Sequence, residues 1–220
     1  MKRLTAIAEE ANEIKSRFLA NMSYNIRIPL NNVVGFSQLI TDDTGLSEEE
    51  KREYSGIIQN NAAELIQLVN NVLDLSRLEA NMMKFQLQDY NVQEWCNELA
   101  CLIQMRSEGS IHLELEADAG DATIHTDINR FTQMVSNMLL YPIECKKARD
   151  VKMELTHSEE TQEIRCRIAN SPLADPAFSS QKQFILQKIC HLFFEHFNGT
   201  FRIEEPNEGG SVIYFTYPTK

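Results

Sequence analysis

The chain has 220 residues, a hydrophobic content of 43%, a charged content of 24% and a formal net charge of -11. These values are typical of soluble globular proteins, and the length allows one large domain or two small ones. The excess of acid argues against nucleic acid or an anionic lipid surface as the main partner, since both are negatively charged.

Cysteine usage and hydropathy indicate a cellular compartment. The cysteines are odd in number, scattered and without a C-x-x-C pair: Cys96, Cys101, Cys145, Cys166 and Cys190. This pattern argues against a disulfide framework and a zinc site, and we expect mostly buried thiols in a reducing cytosol. No apolar run is long enough to span a bilayer, and Met1 opens a charged segment rather than a signal peptide. We therefore expect a cytoplasmic protein, or the cytosolic part of a larger sensor that is membrane-anchored only through segments outside this chain.

The first third of the chain follows a helical period. Apolar residues recur every three or four positions from Leu4 to Ile40 and again from Ile58 to Val72. Between these stretches, Gly45 predicts the end of one helix, and Ser47 followed by Glu50 predicts a capping box that starts the next. The pattern predicts an antiparallel helical hairpin, to which we assign residues 1–81.

A single hairpin cannot bury two long apolar stripes by itself. Two hairpins can bury them in a four-helix bundle, so we favour a homodimer through residues 1–81. The alternative is that the hairpin packs against the second half of its own chain.

After about Asn81 the pattern changes to short β-rich runs with helical patterns between them. The predicted strands are Ile111–Leu115, Val151–Thr156, Glu163–Ala169, Thr200–Glu204 and Ser211–Tyr217. The predicted helices are Val92–Met105, Ile128–Leu140 and Gln183–Phe197. Because strands and helices mix without strict alternation, residues 82–220 predict an α+β sandwich, with residues 207–210 as the turn between the last two strands.

Residues 18–30 read FLANMSYNIRIPL. This run resembles the H box of the sensor histidine kinases of two-component systems, typically F-L-A-N-M-S-H-E-I-R-T-P-L, and departs from it only at Tyr24, Asn25 and Ile28. Residues 73–80, LDLSRLEA, resemble the end of the second bundle helix in the same family. The resemblance implies that the hairpin is the dimerisation and phosphotransfer domain of such a kinase.

The three departures fall where the family does its chemistry. There, the histidine accepts the γ-phosphoryl group, the next residue is a general base, and the fourth residue after the histidine positions water or a partner. Tyr24 carries a phenol with a pKa of about 10 that needs an activating base, Asn25 cannot accept a proton, and Ile28 offers no polar group. The first histidine of the chain is His112. We therefore expect no catalytic residue in the hairpin, and we interpret Tyr24 as a surface residue rather than a tyrosine phosphoacceptor.

The second half resembles the ATP-binding domain of the family over most of its length. Residues 127–137 match the helix that opens the N box, and Asn137 is retained. However, Tyr141, Pro142 and Glu144 replace the asparagine that holds Mg²⁺, an alanine and a lysine. A phenol is a poor ligand for a hard cation, and Glu144 would repel phosphates. We expect no metal site, and we interpret Asn137 as a helix residue with a structural hydrogen bond.

The glycine motifs of the family are also changed. Asn170, Pro172 and Ala174 stand at the D-x-G-x-G positions, so an uncharged amide replaces the adenine-reading aspartate and both glycines are lost. Phe184 and Leu186 stand where glycines let backbone amides approach the phosphates, and we expect them to fill that space. The resemblance implies ATP and Mg²⁺ as cofactors, but the degraded pocket predicts that neither is used.

Two functions follow from these substitutions. The first is a degenerate histidine kinase, a pseudokinase that dimerises and binds the receiver domain of a response regulator or a partner histidine kinase. The alternative is a residual ATP-dependent kinase that phosphorylates the histidine of a partner subunit. A phosphotransferase that works without ATP is excluded because it needs the missing bundle histidine. The joint loss of acceptor, base, magnesium ligand and phosphate glycines favours the first function.

Overall fold

The computed structural model describes residues 23, 25–42, 45–141, 149–175, 181–204 and 211–220. The chain divides into two compact units, Met1–Leu73 and Asp74–Lys220. Tyr24, Pro142, Glu144 and the expected turn at residues 207–210 lie outside the described residues.

Most of the predicted hairpin lies in the first unit, and its second helix continues beyond Leu73 to Glu79. Helix α1 covers residues 25–42, and helix α2 spans Glu48–Glu79. The capping box is confirmed, because the Ser47 amide donates to the Glu50 carboxylate at 2.8 Å and the Glu50 amide donates to the Ser47 hydroxyl at 3.2 Å.

Two contacts show that the helices of the hairpin run antiparallel. The Asn32 side-chain amide donates to the Asn61 side-chain oxygen at 3.0 Å, and the rings of Phe36 and Tyr54 lie 5.2 Å apart. The partner's number falls from Asn61 to Tyr54 as α1 advances from Asn32 to Phe36, as it must in an antiparallel pair.

Both helices of the hairpin carry apolar side chains that the chain leaves open to solvent. Each is at least 45% exposed, and they are Ile28, Leu30, Val34 and Leu39 on α1 and Ile66, Val69 and Leu73 on α2. Large aliphatic side chains of this kind are normally buried in soluble domains. The hairpin therefore has more apolar surface than its own two helices cover.

The second unit is built on a mixed sheet with the strand order β2-β4-β5-β7-β6, in which β2 and β4 run parallel and the other neighbours antiparallel. Its strands are β2 (Ile111–Asp118), β4 (Arg149–Ser158), β5 (Glu163–Ala169), β6 (Thr200–Glu204) and β7 (Val212–Pro218). Each corresponds to a predicted strand. A second, two-stranded sheet pairs β1 (Gln88–Asn91) with β3 (Thr123–Thr126), and the sequence analysis missed both.

Helices cover one face of the large sheet. They are α3 (Val92–Ser107), α4 (Ile128–Leu140) and α5 (Gln181–His196), with a short 3-10 turn at Pro172–Ala174. The core between helices and sheet is apolar and rich in aromatic rings. The predicted α+β sandwich is confirmed. None of the helices in the described ranges combines the length and the apolar character needed to cross a bilayer.

The cysteines follow the prediction of buried thiols within the described residues. Cys96, Cys166 and Cys190 are buried, whereas Cys101 is exposed on α3. Desolvation raises the pKa of the Cys96 and Cys190 thiols to about 12, so both are protonated at neutral pH. Cys145 lies outside the described residues.

The turn after α5 approaches strand β7 very closely. The Gly199 amide donates to the Phe194 carbonyl at 2.8 Å, and Asn198 adopts a left-handed φ of 59°. A Cβ atom added at Gly199 would lie 2.2 Å from the backbone oxygen of Thr216. Only glycine allows this approach, because the opposing atom belongs to the backbone of a paired strand.

We expect Gly199→Ala to lower the free energy of unfolding by about 1–3 kcal/mol, since strand β7 must shift to admit the methyl group. Urea denaturation followed by the fluorescence of Trp95 measures the loss. The matched control is Gly56→Ala in helix α2, where an added Cβ meets no atom within 4 Å. That change should stabilise the helix by about 0.5–1 kcal/mol in far-UV circular dichroism. A neutral Gly199→Ala would contradict the steric explanation.

Candidate functional site

The fold gathers the candidate residues of the second unit in one neighbourhood. Asn137 lies in the last turn of helix α4 and Tyr141 is its C-cap residue, Asn170 follows strand β5, and Phe184 and Leu186 lie in the first turns of helix α5. The 3-10 turn Pro172–Ala174 packs against both α4 and α5. The elements that carry Asn137, Pro172, Ala174 and Leu186 are therefore packed against one another.

Asn170 ends strand β5 in the left-handed region, with φ at 60°. Its side-chain amide donates to the Asp150 carbonyl at 2.8 Å, and its backbone amide donates to the Ser211 carbonyl at 3.2 Å. Asparagine tolerates this conformation better than most residues. The exposed Asn170 thus joins the ends of neighbouring strands.

Residues 171–174 are buried and fixed to helix α4. Ser171, Pro172, Leu173 and Ala174 are all buried. The Ser171 hydroxyl donates to the Met138 carbonyl at 2.6 Å, one residue beyond Asn137. This bond satisfies a carbonyl near the C-terminal end of the helix that has no partner within it.

Two glutamines of helix α5 hold the other side of the same segment. The buried Gln183 amide donates to the Leu173 carbonyl at 2.6 Å and to the Asp175 carbonyl at 3.2 Å. The Gln187 amide donates to the Leu173 carbonyl at 2.8 Å. These residues lie one helical turn apart, so both amides reach the same carbonyl, which has two lone pairs.

An ion pair closes the end of the segment. The Arg149 guanidinium, at the start of β4, pairs with the Asp175 carboxylate, and their side chains are only 18% and 21% exposed. A charge-assisted pair with this burial is stronger than one at the surface. Residues 171–175 are therefore held at both ends and in the middle by the protein's own side chains.

The two replaced glycine positions of α5 behave differently. Leu186 is fully buried in the core, but the side chain of Phe184 is 56% exposed. The expectation that Phe184 fills the pocket is wrong. Because each residue advances a helix by about 100°, residues two apart face nearly opposite directions and cannot both point inward.

The remaining candidates lie at the end of α4 and in the hairpin. The Asn137 carbonyl accepts the Tyr141 amide at 3.2 Å, which closes the last turn of α4. In the hairpin, Asn25 is half-buried and Ile28 is exposed on α1. Tyr24 and Glu144, the other two candidates, lie outside the described residues.

Sequence reasoning missed the residues that fix the segment. The sequence motifs assigned no role to the side chains of Gln183, Gln187, Arg149 and Asp175. One signal was present: Gln183 and Gln187 are polar residues at helical spacing among the apolar residues of α5. Buried polar side chains at such positions normally have hydrogen-bond partners.

Comparison with known proteins identifies relatives for both parts of the chain. Residues 14–81 match the His Kinase A (phospho-acceptor) domain family. Hybrid signal transduction histidine kinase A of Dictyostelium discoideum is 32% identical over 60% of this chain and 6% of its own length. Two-component system protein A of Emericella nidulans is 25% identical over 97% of this chain and 35% of its own length.

The fold is also found among solved structures. Histidine kinase ThkA, in its complex with response regulator protein TrrA, matches 96% of this chain and 64% of its own chain with a TM-score of 0.66 and 18% identity. At that identity the likeness concerns the fold. The chain spans 6% and 35% of the lengths of the two curated relatives, so it corresponds to a part of them.

We expect Gln183→Leu to lower the free energy of unfolding by about 1–3 kcal/mol, because it removes a buried donor from two carbonyls. Chemical denaturation followed by Trp95 fluorescence measures the change. The matched control is Gln104→Leu on the exposed face of α3, which should change stability by less than about 0.5 kcal/mol. Equal effects of the two substitutions would show that the Gln183 hydrogen bonds contribute little.

Proposed function

We propose that this chain is a homologue of the core of two-component sensor histidine kinases, and that it is a pseudokinase that acts by binding rather than by catalysis. The observation that carries the proposal is the segment 171–175, which the protein's own side chains bury and hold where the resemblance implies a nucleotide. We propose no catalytic residue in this chain. We also propose a cytoplasmic location, as expected from the sequence.

The side chains around this segment do not suit Mg-ATP. Pro172 and Ala174 carry side-chain atoms where glycines would leave the backbone open, and both are packed against the core. The Asn170 side-chain NH2 group donates to the Asp150 carbonyl, and its uncharged oxygen would accept from an adenine amino group without the charge assistance that an aspartate gives. Tyr141, at the end of α4, offers a phenol in place of an amide oxygen as a ligand for Mg²⁺. We therefore derive no catalytic step through nucleotide or metal.

The hairpin supports the same proposal. A phosphoryl group needs a nucleophile that a neighbouring base can activate. The sequence offers Tyr24 followed by Asn25, and an amide cannot take the phenolic proton. Even with a nucleotide bound, the hairpin would lack an acceptor.

The exposed apolar side chains of the hairpin suggest how it acts. Leu30 and Val34 on α1 and Ile66, Val69 and Leu73 on α2 would be covered in a four-helix bundle of two copies. The histidine kinase ThkA is described in a complex with a response regulator. We propose that the homodimer of this chain presents its hairpins to a receiver domain, or exchanges one hairpin for that of a partner kinase.

We expect no saturable heat when the purified chain is titrated calorimetrically with ATP or ADP at millimolar concentration in the presence of Mg²⁺. The second arm is the double variant Tyr24→His/Asn25→Glu, which restores an acceptor and a base to the hairpin. It should take up no label from γ-labelled ATP, because the second unit cannot supply the phosphoryl group. An active histidine kinase is the positive control. Saturable binding or labelling of the restored histidine would favour the residual-kinase alternative.

We expect light scattering to give a mass of twice the 25.3 kDa of one chain. The substitutions Ile66→Asp and Val69→Asp should weaken the dimer by about 100-fold or more, because each would bury an unpaired charge. Gln67→Asp, between them on the same helix and also exposed, is the matched control and should leave the dimer intact. Circular dichroism confirms that each variant is folded. A monomeric wild-type chain would refute the dimer.

A further inference from the structure

A histidine of the small sheet is held by a carboxylate on the opposite strand. Asp89 of β1 lies directly across from His125 of β3 in the antiparallel pair. The His125 Nδ1 atom is 2.6 Å from the Asp89 Oδ1 atom. The side chains are 47% exposed at His125 and 48% exposed at Asp89. The pair therefore lies at the surface of the second unit, where a molecule from the solvent can reach it.

The second oxygen of the same carboxylate binds a lysine. The Lys220 Nζ atom donates to the Asp89 Oδ2 atom at 2.6 Å, and the Lys220 backbone amide donates to the Thr123 carbonyl of β3 at 2.9 Å. Hydrogen bonds from Lys220 and from His125 hold the pKa of the Asp89 carboxyl below its ordinary value. Asp89 is therefore ionised at neutral pH and can only accept hydrogen bonds.

The backbone that carries the histidine is anchored to the core. The hydroxyl of Tyr217, a residue that is only 1% exposed, donates to the His125 carbonyl at 3.4 Å. Strand β3 is also paired with β1 along its whole length. A ring that is presented by a fixed strand and held at one nitrogen has a defined orientation.

This geometry decides which nitrogen of the ring carries the proton. Because an ionised carboxylate has no proton to donate, the His125 Nδ1 atom must be the donor in the 2.6 Å contact with Asp89. In the neutral ring the Nε2 atom then carries the free lone pair. Within the described part of the chain, no hydrogen bond engages this Nε2 atom. His125 therefore offers a nucleophilic nitrogen to the solvent.

An aspartate–histidine pair of this kind can serve in three ways. It can activate a neighbouring hydroxyl, orient a metal ligand or support the histidine itself as the nucleophile. Among the described residues, no hydroxyl is hydrogen-bonded to the His125 Nε2 atom, and no group of three candidate metal ligands is found. The arrangement therefore fits the third use best.

We propose that His125 is a phosphoryl-accepting residue that reacts through Nε2 with phosphoramidates, while Asp89, fixed by Lys220, orients its ring. The Nε2 lone pair forms a bond to phosphorus, and the electron pair of the P–N bond leaves with the protonated donor nitrogen as ammonia. The phosphorylated ring becomes an imidazolium that keeps its Nδ1 proton, and the Asp89 carboxylate stabilises this charge. The Lys220 ammonium offsets the negative charge of Asp89, which would otherwise repel the phosphoryl group.

This inference does not rest on the proposed function. The donor is not ATP, and the acceptor lies in the second unit rather than in the hairpin. The reaction concerns the acceptance of a phosphoryl group and not its relay to another protein.

The test treats the full chain with potassium phosphoramidate at neutral pH. Mass spectrometry under neutral or alkaline conditions, which preserve P–N bonds, measures the phosphorylation of each histidine. The internal control is His191, which is 50% exposed and whose Nδ1 atom lies 3.5 Å from the Glu195 carboxylate, beyond a normal hydrogen bond. We expect His125 to be labelled at least about tenfold faster than His191, with the phosphorus on Nε2 in nuclear magnetic resonance spectra.

Two matched variants test the role of the carboxylate. Asp89→Asn should slow the labelling of His125 by about tenfold and leave that of His191 unchanged, because an amide cannot stabilise the imidazolium. Glu195→Gln removes the carboxylate beside the other histidine and should change neither rate. Circular dichroism checks that each variant is folded.

The outcomes separate a nucleophilic site from an ordinary surface histidine. Preferential labelling of His125 at Nε2 that depends on Asp89 supports the proposal. Absence of label on His125, equal labelling of His125 and His191, attachment at Nδ1 or an unchanged rate in Asp89→Asn would each overturn it. If Asp89→Asn does not fold, the comparison of His125 with His191 in the wild-type chain still decides.

Discussion

The burial of Phe131 fixes the second unit around helix α4. This ring is fully buried and contacts Trp95 of α3, Phe193 and Phe194 of α5, and Tyr217 of β7, with centroid distances between 4.7 and 6.4 Å. Helices and sheet therefore meet at one side chain, and a close-packed core of this kind tolerates little displacement. Phe131 thus anchors the first turn of α4 in the core, whereas the last turn of α4 receives the segment 171–175 through the Met138 carbonyl.

This difference between the two ends of α4 explains how the residues of a site can change while the fold around them is kept. The residues that pack α4 against the sheet face inward and are constrained by volume, so they remain apolar. The residues at the end of α4 face the segment 171–175. The buried polar groups of this segment can be hydrogen-bonded equally well by a ligand or by side chains of the protein. Here the donors are Ser171, Gln183 and Gln187, which supply the hydrogen bonds that the buried carbonyls need. A segment held by its own chain does not require a ligand for its stability.

The sequence predicted the regular elements better than it predicted the site. Helix α4 begins and ends where its apolar period does, at Ile128 and Leu140, because the Asp127 cap and the pattern agree. Strands β1 and β3 were missed because each has only four residues, several of them polar, and their pairing is a long-range contact. The role of Phe184 was predicted wrongly because the alignment of a motif does not show to which side of the helix a residue points. The glutamine contacts were missed because their acceptors are backbone carbonyls, which any residue supplies.

The two units differ in how much exposed apolar surface their described side chains offer to a partner. In the second unit, the described segment 171–175 has buried side chains and internal hydrogen bonds, so a new ligand would have to displace contacts that already exist. In the hairpin, by contrast, the exposed side chains of Val34, Ile66 and Val69 gain free energy from any partner that covers them, at about 25 cal/mol for each Å² of apolar surface removed from water. This exposed apolar surface is the observation in the hairpin that supports its proposed association with a protein partner.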